Sequence, residues 1–240
     1  MIKTLLKIVL GLLICCAILL AVWYQIDGIP TPETDLYLIG DGYTSAEEQD
    51  GSLIFTPAHS NGYGITIMHG ALIKPQSYAK SAAYFAARGY TVYLPYGPGR
   101  MSIAVVDNTA LRLNDFDIEK WFFIGHSMGG MASLEIVAKN PTNILGVALW
   151  ATAMPADYSA IDKPVLFIWG DTDGLLQPER FRLAKENLPK SATYLTLEGA
   201  NHKNFAMYSH QFFDFEATLD WMEQIDFANE TTAEFFRKLQ

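Results

Sequence analysis

Cysteine is nearly missing from this 240-residue chain: Cys15 and Cys16 are adjacent in an apolar run near the N-terminus, and there are no others. The rest of the chain has no thiol nucleophile, no disulfide framework and no thiolate ligand for a metal. Histidine is scarce, with five residues, and none falls in an H-E-x-x-H or His/Cys spacing, so no metal is expected. Gly97-Pro98-Gly99 lacks the Lys-Ser/Thr ending of a phosphate cradle, and no cofactor is expected. No internal repeat or low-complexity block is present.

Positive charge is also in deficit, with 17 basic against 26 acidic residues and a net charge of −9. Without Lys3, Lys7 and Asp27, the remainder has 15 basic and 25 acidic residues, a net charge of −10. An even acidic surface, with no basic patch interleaved with aromatics, argues against nucleic acid and against strongly anionic substrates.

What is present begins with MIKTLLKIVLGLLICCAILLAVWYQI at 1–26, in which residues 8–24 carry no charge. At about 1.5 Å per residue these span roughly 26 Å, and Lys7 can snorkel to extend them toward a hydrocarbon core of about 30 Å. Trp23 and Tyr24 stand where an interfacial aromatic belt falls. No A-x-A-like site follows, and Ile14 before Cys15 is not the small residue of a lipoprotein signal. A retained membrane anchor is therefore favoured, over a cleaved signal with a secreted domain and over a buried core helix. Lys3 and Lys7 precede the segment while Asp27, Glu33 and Asp35 follow it. That bias puts the N-terminus in the cytoplasm and the domain outside the cell membrane. The chain divides into anchor or signal segment (1–27), stalk and entry segment with Pro30 and Pro32 (28–50), main domain (51–226) and C-terminal tail (227–240).

From Gly51 onward short apolar runs alternate with helical patterns. Strands are expected at GSLIFTP (51–57), YGITIMHG (63–70), YTVYLP (90–95), KWFFIG (120–125), ILGVALW (144–150), PVLFIWG (164–170) and ATYLTL (192–197). Helices are expected at 76–88, 128–140, 178–188 and 211–225. Near-continuous apolar strands separated by helices imply an α/β fold, a doubly wound and mostly parallel sheet covered on both faces. Its site should lie outside the carboxyl ends of the strands.

Gly125-His126-Ser127-Met128-Gly129 is a G-x-S-x-G elbow between a strand and a helix. The glycines permit a turn too tight for side chains, and the strain lifts the Ser127 hydroxyl clear of the sheet. A serine needs a base to take its proton and an acid to orient that base. Downstream, WGDTDGLLQP supplies Asp171 and Asp173, and EGANHKNF supplies His202, each following a strand. WGDTDGLLQP is not a calcium loop, since counting from Asp171 puts Leu175 at the fifth position and Arg182 at the twelfth. Asp173 stands far enough beyond the strand to reach a histidine, whereas Asp171 is placed to cap its own turn.

GHSMGG, GDTDG and EGANHKNF, with MHGALIKPQSY upstream, resemble the α/β-hydrolase superfamily, and within it the small bacterial alpha/beta hydrolase fold-5 family. The resemblance covers about 51–225. It implies esterase-like hydrolysis by a triad of Ser127, Asp173 and His202. It also implies an oxyanion hole from the amide of Met128 and from a turn similar to His69-Gly70-Ala71, with Ala71 the candidate donor. His126 is expected to pack beside the nucleophile and His69 to stabilise the oxyanion turn. His59 and His210 read as surface or loop residues.

Many such hydrolases insert a helical cap before the strand that carries the acid, but residues 151–163 are too few for one. The pocket should be shallow and open, with Trp150, Ala151, Met154 and Tyr158 on one wall. The substrate expected is an uncharged carboxylic ester, small or lipid-like. Acyl transfer on the same triad, or a non-catalytic receptor or scaffold on the same fold, are the alternatives.

Overall fold

Residues 2–26 contain no proline and a single glycine, Gly11, so nothing interrupts helical propagation. In the computed structural model, which describes residues 2–139, 141–154 and 156–240, they form one helix, α1 (Ile2–Ile26). Its stretch Leu5–Ile26 has 22 residues and a mean hydropathy of 2.9. It is long and apolar enough to cross a membrane or to act as a signal sequence. It is exposed until Trp23 and Tyr24, which are half-buried.

The domain is built on one eight-stranded sheet with the spatial order β1-β2-β4-β3-β5-β6-β7-β8. In chain order the strands are β1 (Tyr43–Glu47), β2 (Leu53–Pro57), β3 (Tyr63–Met68), β4 (Thr91–Leu94), β5 (Lys120–His126), β6 (Ile144–Trp150), β7 (Val165–Gly170) and β8 (Thr193–Leu197). From β4 to β8 every pairing is parallel, while β1–β2 and β2–β4 are antiparallel. The chain lays β4 on one side of β3 and then returns to lay β5 on the other. That reversal opens a crevice beyond the carboxyl ends of β3 and β5.

Both faces of the sheet are apolar, as the uninterrupted strands require. Successive side chains of β5 alternate between two cores, Phe122 and Ile124 in one, Trp121 and Phe123 in the other. Helices α2 (Ala79–Ala86) and α6 (Trp221–Arg237) cover the first face. Helices α4 (Met128–Val137) and α5 (Pro178–Glu186) cover the second, with residues flanking α3 (Val106–Arg112). Phe236 of α6 stacks on Phe122 with centroids 4.3 Å apart, a contact worth about 0.5–1.5 kcal/mol beyond the buried area. Residues 151–163 form neither helix nor strand among the described residues, and no cap covers the sheet.

The structure differs from the sequence reading at both ends of the domain. The segment read as a stalk, 28–50, contains a 3₁₀ turn at Pro32–Tyr37 and the edge strand β1. β1 reads YTSAE and is mostly exposed, so it lacks the apolar signature of the buried strands. The closing helix expected at 211–225 begins only at Trp221, where the Asp220 carboxylate accepts the Met222 and Glu223 amides as an N-cap. It runs through most of the segment read as a tail, 227–240. Residues ahead of it are held irregular by Asp214, whose carboxylate accepts the amides of Gly174, His202, Lys203 and Phe215.

Candidate active site

β5 ends in the elbow. Ser127 has φ 53° and ψ −119°, backbone strain of about 1–3 kcal/mol for a residue with a side chain. Surrounding contacts hold it there: the Ser127 amide donates to the Trp150 carbonyl at 2.9 Å, and the Gly130 amide to the Ser127 carbonyl at 3.1 Å. The flanking glycines are a matter of space. A Cβ on Gly129 would lie 1.9 Å from the Met68 carbonyl oxygen, and one on Gly125 would lie 2.4 Å from the Gly130 Cα.

The His202 loop after β8 and the Asp173 loop after β7 meet beside the elbow. His202 Nδ1 lies 2.8 Å from Asp173 Oδ2, and both residues are buried. A carboxylate only accepts, so Nδ1 carries the proton and Nε2 is the basic nitrogen left for the cavity. Asp173 is itself oriented, its Oδ1 accepting the Leu175 and Leu176 amides at 2.8 and 2.6 Å. Asp171 does not cap its own turn as expected; its Oδ1 accepts the Gly199 amide at 2.7 Å and ties the β7 loop to the β8 loop.

Ser127, His202, Ala71 and Met128 line one cavity of about 180 Å³. Met128 is the first residue of α4, so its amide has no partner within the helix. Among the described residues no hydrogen bond engages the Ala71 amide. Met131, Ala151, Ala153, Leu175 and Leu176 give the cavity its apolar wall, with Arg180 beside them. No hydrogen bond joins Ser127 Oγ to His202; such contacts are often long before substrate binds.

Of the four residues expected on the substrate wall, the cavity receives only Ala151. Trp150 is a strand residue whose side chain points to the opposite face, where its Nε1 donates to Thr232 Oγ1 at 3.1 Å and its ring stacks near Phe205. Met154 and Tyr158 are drawn into the core beneath α4 and α5, and the Tyr158 hydroxyl donates to Glu135 at 2.7 Å. Larger clefts of about 580 and 670 Å³ contain none of the expected site residues.

Tyr78 was not legible as a site residue, and it ties the elbow to the His69-Gly70-Ala71 turn. Its hydroxyl accepts the Gly70 amide at 2.9 Å and lies 2.7 Å from His126 Nδ1, while His126 Nε2 lies 3.0 Å from the His202 carbonyl. The carbonyl can only accept, so Nε2 carries the proton and Nδ1 accepts from Tyr78. Burial, and then His202 nearby, hold His126 far below the usual imidazole range, in keeping with a neutral ring. His69 is neutral for the same reason, its pKa lowered by burial to about 4. Its Nδ1 meets the Gly70 carbonyl at 2.8 Å and its Nε2 accepts the Gly97 amide at 3.1 Å.

A second support comes from the end of α1. The buried Arg100 donates to the carbonyls of Asp27 (2.9 Å) and Tyr24 and stacks on the Tyr24 ring at 3.6 Å. Its own carbonyl accepts the Leu72 amide at 2.7 Å, next to Ala71. Gly97, whose amide donates to His69, and Arg100 are thus parts of one brace. Among the described residues no three His, Cys, Asp or Glu side chains gather as a metal site.

Residues 64–226 match the profile of the alpha/beta hydrolase family. The chain belongs to the alpha/beta hydrolase family. Its fold is shared by a predicted CIB-like hydrolase from Thermoplasma acidophilum, with a TM-score of 0.63 and 19% identity over 82% of this chain and 100% of that one. An alpha/beta hydrolase enzyme from the metagenome of lagoon sediments of Mar Chica, Morocco, gives a TM-score of 0.58 and 19% identity over 82% and 99%. At that identity these two speak for the fold alone. Platelet-activating factor acetylhydrolase of Canis lupus familiaris is 28% identical over 137 residues, 52% of this chain and 30% of that protein. The chain therefore spans about a third of the length of that curated relative.

Proposed function

We propose that this family member is a serine hydrolase of uncharged carboxylic esters. The observation that carries the reading is the Asp173–His202 hydrogen bond of 2.8 Å beside a strained serine on the same cavity. His202 Nε2 takes the Ser127 proton as Oγ attacks the carbonyl carbon. Asp173 holds the ring in the tautomer that leaves Nε2 free and stabilises the imidazolium that forms. The amides of Ala71 and Met128 receive the oxyanion, each such donor being worth about 2.7–4 kcal/mol in the transition state. The imidazolium protonates the leaving alkoxide, and an acyl-enzyme remains on Ser127. Water, deprotonated by the same nitrogen, then releases the acid. A proton shuttle of this kind contributes about 10²–10⁴ in rate.

The acetylhydrolase relative supports acyl hydrolysis, and the apolar cavity wall supports an uncharged acyl group. Retention of α1 as a single span, with a cytoplasmic N-terminus and an extracytoplasmic domain, belongs to the same proposal and rests on its hydropathy and on the flanking lysines. Labelling with a fluorophosphonate tests the chemistry. Wild-type protein should label and Ser127→Ala should not; an unlabelled wild type, or equal labelling of both, rejects it.

A further inference from the structure

The segment beside the site carries two exposed aromatic side chains that hydrolysis does not use. Phe213 is 84% exposed and adopts φ 68°, and Phe215 is 56% exposed. An aromatic residue in left-handed backbone and in contact with water is unfavourable on both counts. Phe213 lines a cleft of about 410 Å³ with Leu175 and Arg180, residues that also line the Ser127 cavity. It therefore stands on the rim of the site.

The same segment touches the end of α1. Phe212 meets Trp23 edge-on, with ring centroids 5.9 Å apart. The apolar stretch Leu5–Ile26 has 22 residues and at about 1.5 Å each matches a hydrocarbon core of about 30 Å, so Trp23 and Tyr24 fall at its boundary. Phe212 is then at that depth as well. The junction is braced rather than flexible. Besides the Arg100 contacts, the Gly28 amide donates to the His210 carbonyl (3.3 Å), the Lys74 amide to the Gly28 carbonyl (3.2 Å) and Ser209 Oγ to the Ile26 carbonyl (3.0 Å).

We infer that residues 212–215 rest on the surface of the bilayer that α1 crosses, and that the site takes an ester held in that surface by its own apolar chain. The inference rests on the serine hydrolase reading and names its substrate class. With a net charge of −9, attraction to anionic lipid does not drive this contact; apolar insertion does.

The test uses the full chain reconstituted in phosphatidylcholine vesicles, with two acetyl esters, one water-soluble and one of a long-chain alcohol incorporated in the vesicles. Replacing Phe213→Ser and Phe215→Ser together should lower the ratio of membrane-held to soluble turnover by about tenfold. An unchanged ratio, or a wild type that cleaves the soluble ester but not the membrane-held one, overturns the inference. Position is read separately by Phe213→Cys, in a Cys15→Ser/Cys16→Ser background, bearing an environment-sensitive dye. Quenching by headgroup nitroxide lipids is expected. Quenching by aqueous iodide instead, or protection from both quenchers as a protein partner would give, overturns it. A wild type inert toward both esters and toward fluorophosphonate would sink the hydrolase reading and with it the substrate class, while the dye still judges the surface.

Discussion

Asp171 and Asp173 are two residues apart and serve different partners: Asp173 Oδ2 meets His202 Nδ1 at 2.8 Å, while Asp171 Oδ1 holds the Gly199 amide at 2.7 Å. One carboxylate orients an imidazole and the other pins a loop. Asp173→Asn should leave the fold in place but favour the wrong imidazole tautomer, lowering kcat by on the order of 10⁴. Asp171→Asn keeps an acceptor for Gly199 and should cost far less in turnover. Steady-state kinetics on one soluble ester ranks the two; the reverse order would exchange their roles.

The Tyr78 hydroxyl serves Gly70 and His126 together. Tyr78→Phe strands a buried amide and a buried ring nitrogen, each costing about 1–3 kcal/mol. A fall in melting temperature is expected. Because Gly70 adjoins Ala71, the oxyanion turn should also loosen, with kcat falling while KM stays within a fewfold. A loss confined to melting temperature would make Tyr78 a packing residue only.

Gly28 sits against the other side of that turn. It has φ +64°, and a Cβ there would lie 2.2 Å from the Leu72 carbonyl oxygen. Gly28→Ala must displace Leu72 or the end of α1. A shift of about 1 Å in a catalytic donor can cost about 10² in rate, so kcat should drop by up to that factor. Gly42→Ala is the control, since its Cβ would meet nothing within 4 Å and its φ is likewise positive at +88°. Equal kcat losses in the two variants would show that backbone strain, not pressure on Leu72, is responsible.

What was legible in the sequence follows from which signals are local. Phe122, Phe123 and Ile124 announce a strand buried on both faces, and Gly125 to Gly129 announce the turn that follows. The seven apolar strands, and the order of Ser127, Asp173 and His202, needed no long-range information. β1 was missed because an exposed edge strand has no apolar run. The helix at 221–237 was placed too early because Phe212, Phe213 and Phe215 mimic a helical apolar stripe, while Asp214 spends its side chain on the amides of Gly174, His202, Lys203 and Phe215. Trp150 ends the serine's neighbouring strand and Ala151, Met154 and Tyr158 follow it, but strand alternation and the course of 151–163 decide which of the four faces the cavity, and only Ala151 does. Tyr78 and Arg100 act through partners from 8 to 76 residues away, a distance at which residue type alone carries no signal.

The two buried histidines outside the Asp173 pair should make stability fall in acid. Burial lowers the pKa of His69 to about 4 and that of His126 far below its usual value, whereas both sit near about 6.5 in the unfolded chain. Above that value both are neutral folded and unfolded, and they add no slope. As pH falls below about 6.5 the unfolded chain binds two protons that the folded protein refuses, so stability declines toward pH 4 by up to about 1.4 kcal/mol per pH unit for each ring. Melting temperature should therefore hold between pH 8 and 7 and fall steadily from pH 6 to 4.5. In His69→Gln, which can still accept from Gly97, the fall should be shallower, by roughly half at full titration of both rings. Parallel wild-type and variant curves would show that His69 takes up its proton without unfolding, and that carboxylates elsewhere carry the acid sensitivity.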